Sequence, residues 1–196
     1  MKNICVYCSA SNAVDKVYFD DAIETGRLIG EKGFNLIYGA SNFGLMGAVA
    51  QSAKKAGANV TGIIPEKIYY DFVNKDGGCC DKLLITKDIR ERKTKLDEKS
   101  DAIIVVAGGF GTLDEIAEMI DLKSLGYHTK PIVFLNTNKF YDKLFEFFKN
   151  IAQEKFAREE TLNLFYLAQT PQEVFDYLAT YKPDAPRTAD DIFVKK

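Results

Sequence analysis

Residues Val105–Ile116 read VVAGGFGTLDEI, and Asp101-Ala102-Ile103-Ile104 lead into them. The apolar, β-branched run stops abruptly at Gly108-Gly109-Phe110-Gly111-Thr112, and a helical pattern opens at once. Unbroken hydrophobicity, without polar alternation, marks a strand covered on both faces, as in a parallel sheet. Strand, glycine turn and helix in that order make half of a βαβ unit. The glycines permit positive φ and close approach of a ligand to bare backbone. The helix that follows offers unpaired N–H groups and a positive dipole end. The loop therefore suits an anion such as phosphate, with Thr112 as a cap for the helix or a hydroxyl partner for the anion. The competing reading is a tight strand-to-helix turn and nothing more. The loop matches neither familiar phosphate motif, since it lacks both a P-loop Lys-Ser/Thr ending and G-x-G-x-x-G spacing.

The same alternation runs outward in both directions. NICVYCS, FNLIYGA, NVTGIIP, KLLIT, DAIIVVAGG, KPIVFLN and LFYLAQT read as about seven strands. Between them, Asp15–Lys32 places Val17, Phe19, Ala22, Ile23, Leu28 and Ile29 on one stripe. Gly44–Ala56, Asp88–Lys99, Thr112–Leu125 and Tyr141–Ala152 form further helices, and Pro171 opens a last one with Val174, Phe175 and Leu178 inward. This pattern predicts an α/β fold: a Rossmann-like, doubly wound parallel sheet with right-handed crossovers and helices on both faces. No repeat or linker divides it. One domain is expected over residues 1–182, and a tail over 183–196 that is loosely ordered or packs through Ile192, Phe193 and Val194. In such a sheet ligands bind outside the carboxyl ends of the strands. Four of those ends (CSAS, GASNFGLMG, PEK and AGGFGT) carry small or polar residues, so a pocket spanning them follows.

Bulk properties narrow the partners. With a net charge of −2 over 196 residues, no sign dominates, which argues against a general nucleic-acid or membrane-surface binder. No segment approaches the roughly 20 apolar residues that cross a bilayer, and MKNICVYCSA lacks the look of a secretory signal. Cys5 and Cys8 lie three apart in a strand-like run and so face opposite sides, unsuited to a redox turn or a metal knuckle. A reduced, cytoplasmic protein is the expectation. Nothing has metal-ligand spacing, so metal-independent activity without a cofactor is expected.

Two acids, Asp114 and Glu115, follow the glycine loop directly. Adjacent helical residues diverge by about 100°, so one faces the pocket while the other favours the helix dipole. Glu118 is expected on the face of Glu115. The segment DIRERKTKLDEKSD supplies opposite charge; taken alone it is a solvated helix laced with salt bridges. Ile89, Lys93 and Leu96 approximate one face, with Arg92 and Lys93 at the edge of its buried stripe. His128, the single histidine, lies in a connection and suits a structural or partner contact. Tyr141, Phe145, Phe147 and Phe148 cover more of their helix than one core face needs, which suggests a second buried surface.

ERKTKL followed by SDAIIVVAGGFGTLDEI resembles the R-K and P-G-G-x-G-T-x-x-E signature of the "lonely guy" (LOG) family. These are nucleoside 5′-monophosphate phosphoribohydrolases, long labelled "lysine decarboxylase-like". VYCSAS, LIYGASNFGLMGAVA, GIIPEK and LGYHTKP are similar to further family segments, so the likeness covers most of the chain. It implies hydrolysis of the N-glycosidic bond of a nucleoside 5′-monophosphate, a cytokinin riboside 5′-monophosphate or AMP, to free base and ribose 5-phosphate. By position it implies Arg92 and Glu115 as the catalytic pair and Gly108, Gly109, Gly111 and Thr112 as the phosphate grip. Substrate contacts are further expected from Lys93, Phe110, Asp114, Glu66, Ser9 and Ser41. Homodimers are the family habit. Two departures stand out: Ala107 replaces the signature proline, and Ala40-Ser41 replace part of a glycine run. The sequence shows no pyridoxal-phosphate lysine site to support a decarboxylase. A nucleotide sensor or carrier without turnover is the alternative function.

Overall fold

In the central strand β1 (Asn3–Tyr7), successive side chains enter different cores. Ile4 and Val6 join one apolar cluster and Cys5 and Tyr7 the other, all essentially buried. Two-sided burial is what the unbroken apolar run demanded. The structure is a computed structural model describing residues 1–70 and 79–183. The remaining strands are β2 (Asn35–Tyr38), β3 (Val60–Pro65), β4 (Lys82–Thr86), β5 (Ala102–Val105), β6 (Ile132–Leu135) and β7 (Tyr166–Ala168). All pairings are parallel, in the order β4-β3-β2-β1-β5-β6-β7. The expected doubly wound sheet is borne out.

Helices α1 (Lys16–Glu31), α2 (Gly44–Lys55) and α7 (Pro171–Thr180) supply the cluster on the Ile4 face. Helices α4 (Ile89–Glu98), α5 (Phe110–Ser124) and α6 (Asp142–Gln153) supply the other, while α3 (Glu66–Ile68) is a single turn after β3. Cys5 and Cys8 fall into opposite clusters, as strand geometry requires, and all four cysteines are free.

The stripe expected on α1 needs correction. Val17 and Ile23 are 42% and 48% exposed, whereas Ala22, Thr25, Gly26, Leu28, Ile29 and Gly30 are buried. Here α1 packs so tightly on α2 that a Cβ at Gly26 would lie 2.4 Å from the Val49 carbonyl oxygen. Small residues, not the largest ones, therefore set that face. On α6, Phe145 and Phe148 pack against Phe165, and Phe145 also meets Phe134; only Phe147 points outward, 57% exposed. No helix among the described residues is long and apolar enough to cross a membrane. From residue 184 onward, the tail expected at 183–196 lies outside the described residues.

Candidate active site

The strand order reverses between β1 and β5, and loops leaving neighbouring strands there diverge to opposite faces, opening a crevice. A cavity of about 740 Å³ lies there. Its walls come from the ends of β1 (Cys8, Ser9, Ala10), β2 (Gly39, Ser41), β3 (Ile64, Pro65) and β5 (Gly109, Gly111, Thr112). Helix α4 adds Ile89 and Arg92, and α5 adds Glu115. All four strand ends singled out in the sequence thus converge on one pocket.

Helix α5 begins at Phe110, two residues before the expected start. Its N-cap is Gly109 in extended conformation, with no side-chain cap. Thr112 therefore sits inside the first turn and does not cap it. The amides of Phe110, Gly111 and Thr112 have no helical carbonyl one turn back, so they are available to an anion. The glycines owe their place to space, not to positive φ, which none of the three adopts. A Cβ at Gly108 would meet Thr112 Oγ1 at 2.1 Å, whereas at Gly109 and Gly111 it would meet nothing within 4 Å. Gly109 and Gly111 present bare backbone to the open cavity.

Beneath this loop lies an ion pair. Arg92 Nη1 donates to Glu115 Oε1 at 2.6 Å, and the two residues are 8% and 5% exposed. Arg92 Nε donates to the Ile63 carbonyl at 3.1 Å, which fixes the guanidinium plane across β3. A Cβ at Gly39 would stand 2.2 Å from Arg92 Nη2, so a glycine here seats the arginine. Helix α4 is itself anchored by Asp88, whose carboxylate accepts the Arg90 and Glu91 amides at 2.9 Å. Burial raises the proton affinity of Glu115, and Arg92 is the main influence opposing it. The result is a carboxylate in a dry setting, more basic than usual and oriented by a fixed cation.

The adjacent acids separate as helical geometry requires. Asp114 leaves the cavity and pairs with Lys93 at 3.1 Å. Glu118 also pairs with Lys93, at 2.9 Å, and is half-exposed, so it does not share the buried setting of Glu115. Burial works against the Lys93 charge, but Glu118 and Asp114 outweigh it and raise its pKa. Lys93 and Glu118, but not Asp114, border a separate hollow behind Glu115, which also contains Tyr7 and Asp97. The buried stripe of α4 is Arg92 and Leu96, four apart, in place of the expected Ile89 and Lys93.

Of the other expected contacts, Ser9 and Ser41 line the cavity. Each Oγ accepts an amide two residues on, leaving its hydroxyl hydrogen to donate elsewhere. Glu66 is exposed at the start of α3, where the cavity wall is made instead by Pro65 and Ile68. Phe110 is 91% exposed and borders a neighbouring apolar groove with Leu113, Phe140 and Leu144. Lys93, Gly108, Phe110 and Asp114 are not among the residues that form the main cavity. Sequence reasoning missed Gly39, Phe43, Met46, Ile64, Ile68 and Ile89 there. The signal for Phe43 and Met46 was present in GASNFGLMG, whose apolar members follow a strand end and need not be core.

The two departures from the family pattern differ in consequence. Ala40 adopts φ 62°, the left-handed region natural to the usual glycine, and is buried. It is tolerated beside Gly62, where a Cβ would come within 2.7 Å of its methyl. Ala107 is buried and its carbonyl accepts the Ser9 amide at 3.1 Å, tying the first loop to the glycine loop. His128 has a structural place: Nδ1 accepts the Lys130 amide, so Nε2 donates to the Met119 carbonyl. Among the described residues, no three His, Cys, Asp or Glu side chains are grouped to hold a metal ion.

Fold and cavity together define a doubly wound α/β protein whose switch-point cavity sets the open N-terminus of α5 beside a buried arginine–carboxylate pair. The family described as "Possible lysine decarboxylase" matches residues 46–178. A probable cytokinin riboside 5′-monophosphate phosphoribohydrolase of Oryza sativa subsp. japonica is 34% identical over 182 residues, covering 93% of this chain and 74% of that one. A cytokinin riboside 5′-monophosphate phosphoribohydrolase of Arabidopsis thaliana is 32% identical over 182 residues, covering 93% and 79%. The chain belongs to this family. Among solved structures, the molybdenum cofactor binding protein of Rippkaea orientalis superposes with a TM-score of 0.69 over 92% of this chain and 97% of its own, at 23% identity. A Moco carrier protein of Chlamydomonas reinhardtii gives the same TM-score at 20% identity, covering 91% and 95%. At that identity the likeness concerns the fold alone.

Proposed function

We propose that the protein hydrolyses the N-glycosidic bond of a nucleoside 5′-monophosphate, a cytokinin riboside 5′-monophosphate or AMP, releasing free base and ribose 5-phosphate. The observation that carries this reading is the buried Arg92–Glu115 pair in the same cavity as the open amides of α5. Those amides and Thr112 bind the 5′-phosphate, helped by the positive end of the helix. That grip holds the ribose over Glu115. As the bond to the base breaks, its electrons stay on the base nitrogen, which takes up a proton from solvent, balanced by the one that Glu115 later returns. The ribose gains oxocarbenium-like positive charge. The Glu115 carboxylate stabilises that charge and accepts a proton from the water that bonds to C1′. Arg92 orients the carboxylate and favours its charged form against the effect of burial. An anion site and an acid side by side thus serve opposite ends of one substrate.

The test is direct. The protein is incubated with a panel of nucleoside monophosphates and free base is measured by chromatography. Base release identifies the hydrolase, and Glu115→Gln should cut turnover by at least about 100-fold. Saturable binding with no base released would identify a carrier instead. A correctly folded Glu115→Gln protein with near-normal turnover would reject the assignment.

Residues 1–182 act as one unit in this proposal, without a metal or cofactor, in a reducing cytoplasm. The free state of all four cysteines supports the compartment. The protein is further proposed to be a homodimer: Phe110, Leu113, Phe140 and Phe147 leave apolar surface open, at 91%, 41%, 46% and 57% exposure. A monomeric mass at micromolar concentration would overturn that part.

A further inference from the structure

We infer that Phe43 is the platform on which the nucleobase stacks, so the site selects its base by the face and size of the ring instead of the hydrogen-bond pattern at its edge. This rests on the hydrolase reading for where phosphate and ribose lie. The cavity is graded. Its anion end is at β5, its ion pair lies in the middle, and its far end is formed at β2, β3 and the start of α4. In the sheet order, β2 and β3 stand two and three strands from β5, roughly 10 to 14 Å at about 4.8 Å per strand. With the phosphate on α5 and C1′ at Glu115, the base is directed to that far end.

The side chains there are Phe43, Met46, Ile64, Pro65, Ile68 and Ile89. None carries a nitrogen or oxygen, so among the described residues lining the cavity at these loops the Ser41 hydroxyl is the one side-chain partner for a base edge, while a base face finds a broad apolar surface. Phe43, Ile68 and Ile89 are 47%, 39% and 45% exposed, yet all three border this one cavity. Among the described residues lining it, Phe43 alone is aromatic. Its backbone is fixed on every side. Its amide donates to Ser41 Oγ at 3.1 Å, and its carbonyl accepts the Gly47 amide at 3.1 Å. Next to it, the Gly44 amide donates to Asn12 Oδ1 at 2.8 Å, and a Cβ at Gly44 would lie 2.4 Å from the Ala10 carbonyl carbon. An open ring on a fixed backbone loses little freedom when a flat ligand settles on it. Stacking is tolerant of base identity, because every base has a π-face.

The experiment measures binding by calorimetry in a Glu115→Gln background, with and without Phe43→Ala, using AMP, IMP, CMP and ribose 5-phosphate. Phe43→Ala is expected to weaken AMP about 5- to 100-fold, IMP by a similar factor and CMP by less, with ribose 5-phosphate held within about twofold. Phe43→Tyr should restore AMP binding. With Glu115 intact, Phe43→Ala should raise KM for AMP more than it lowers kcat. Unchanged AMP affinity overturns the platform, and so does an equal loss for ribose 5-phosphate, which would make Phe43 a support for its loop. A loss for AMP that IMP does not share overturns recognition by face. Phe43-dependent AMP binding without base release from the wild type leaves the platform standing and removes the hydrolase reading. Base release with Phe43-independent binding does the reverse.

Discussion

Replacing Arg92 with methionine strips a buried carboxylate of its cation while keeping most of the side-chain volume. Arg92 Nη1 lies 2.6 Å from Glu115 Oε1, with both residues under a tenth exposed. Removing one partner of such a pair destabilises by about 3–5 kcal/mol while the other stays charged. Glu115 has an escape, because it can take up a proton. Burial already raises its proton affinity and Arg92 holds it down, so the affinity rises further in the variant. The folded variant then keeps a proton that the unfolded chain releases near about pH 4.3. Its stability relative to wild type is therefore greatest at low pH and is lost as pH rises toward the folded pKa. One proton over about two pH units corresponds to about 2–3 kcal/mol. Urea denaturation of Arg92→Met at about pH 7.5 should show the full loss of about 3–5 kcal/mol, and at about pH 5 a loss smaller by about 2–3. The double variant Arg92→Met/Glu115→Gln should lose most of this pH dependence. A deficit of Arg92→Met that stays constant across the range, or a double variant that keeps the dependence, refutes the reasoning.

Two further substitutions probe the backbone of the site. In Gly111→Ala the new methyl meets no protein atom within 4 Å, so thermal unfolding should show a gain of about 0.5–1 kcal/mol in the helix. With the phosphate on the amides of α5, as proposed, the same methyl crowds it, and losing one charge-assisted hydrogen bond should weaken ribose 5-phosphate by about 10- to 100-fold in calorimetry; unchanged affinity would place the phosphate elsewhere. Gly39→Ala puts a Cβ 2.2 Å from Arg92 Nη2, so the guanidinium must shift and turnover should fall by about 100-fold, while circular dichroism reports an intact fold. Full turnover in that variant would show that the seat of Arg92 is not needed.

What the sequence disclosed follows from what each residue type reports on its own. The five inner strands were readable because a strand buried on both faces leaves an unbroken apolar run, as in Ile103–Val106, whereas the largely exposed edge strands β4 and β7 were read from the short apolar runs KLLIT and LFYLAQT alone. Helices α4 and α7 start within a residue of where the sequence placed them, for Asp88 caps α4 through its side chain and Pro171 takes the first position of α7. Helix α5 was misplaced by two residues for the converse reason. Thr112 is a common cap type, but a side chain at the true cap would project into the cavity, and Gly109 leaves it open. The burial of Arg92 was hidden among DIRERK, since charge patterning cannot tell which of several cations finds a buried acid 23 residues away. Asp114 and Glu115 could be separated in principle by the 100° step, but only the packing of α5 says which one turns inward. The apolar far wall was missed because Ile68, Ile89 and Phe43 sit in short loops or first turns, where no periodicity distinguishes cavity lining from core.

Each wall of the cavity hangs from a separate crossover, and the sheet beneath is shared by all of them. Substitutions after β2 and β3 can reshape the apolar end of the cavity while the carboxylate on α5 and the cation on α4 keep their places. Divergence in this lineage therefore need not be all-or-nothing: the lining of the cavity can change one loop at a time, on a scaffold whose buried ion pair stays unchanged.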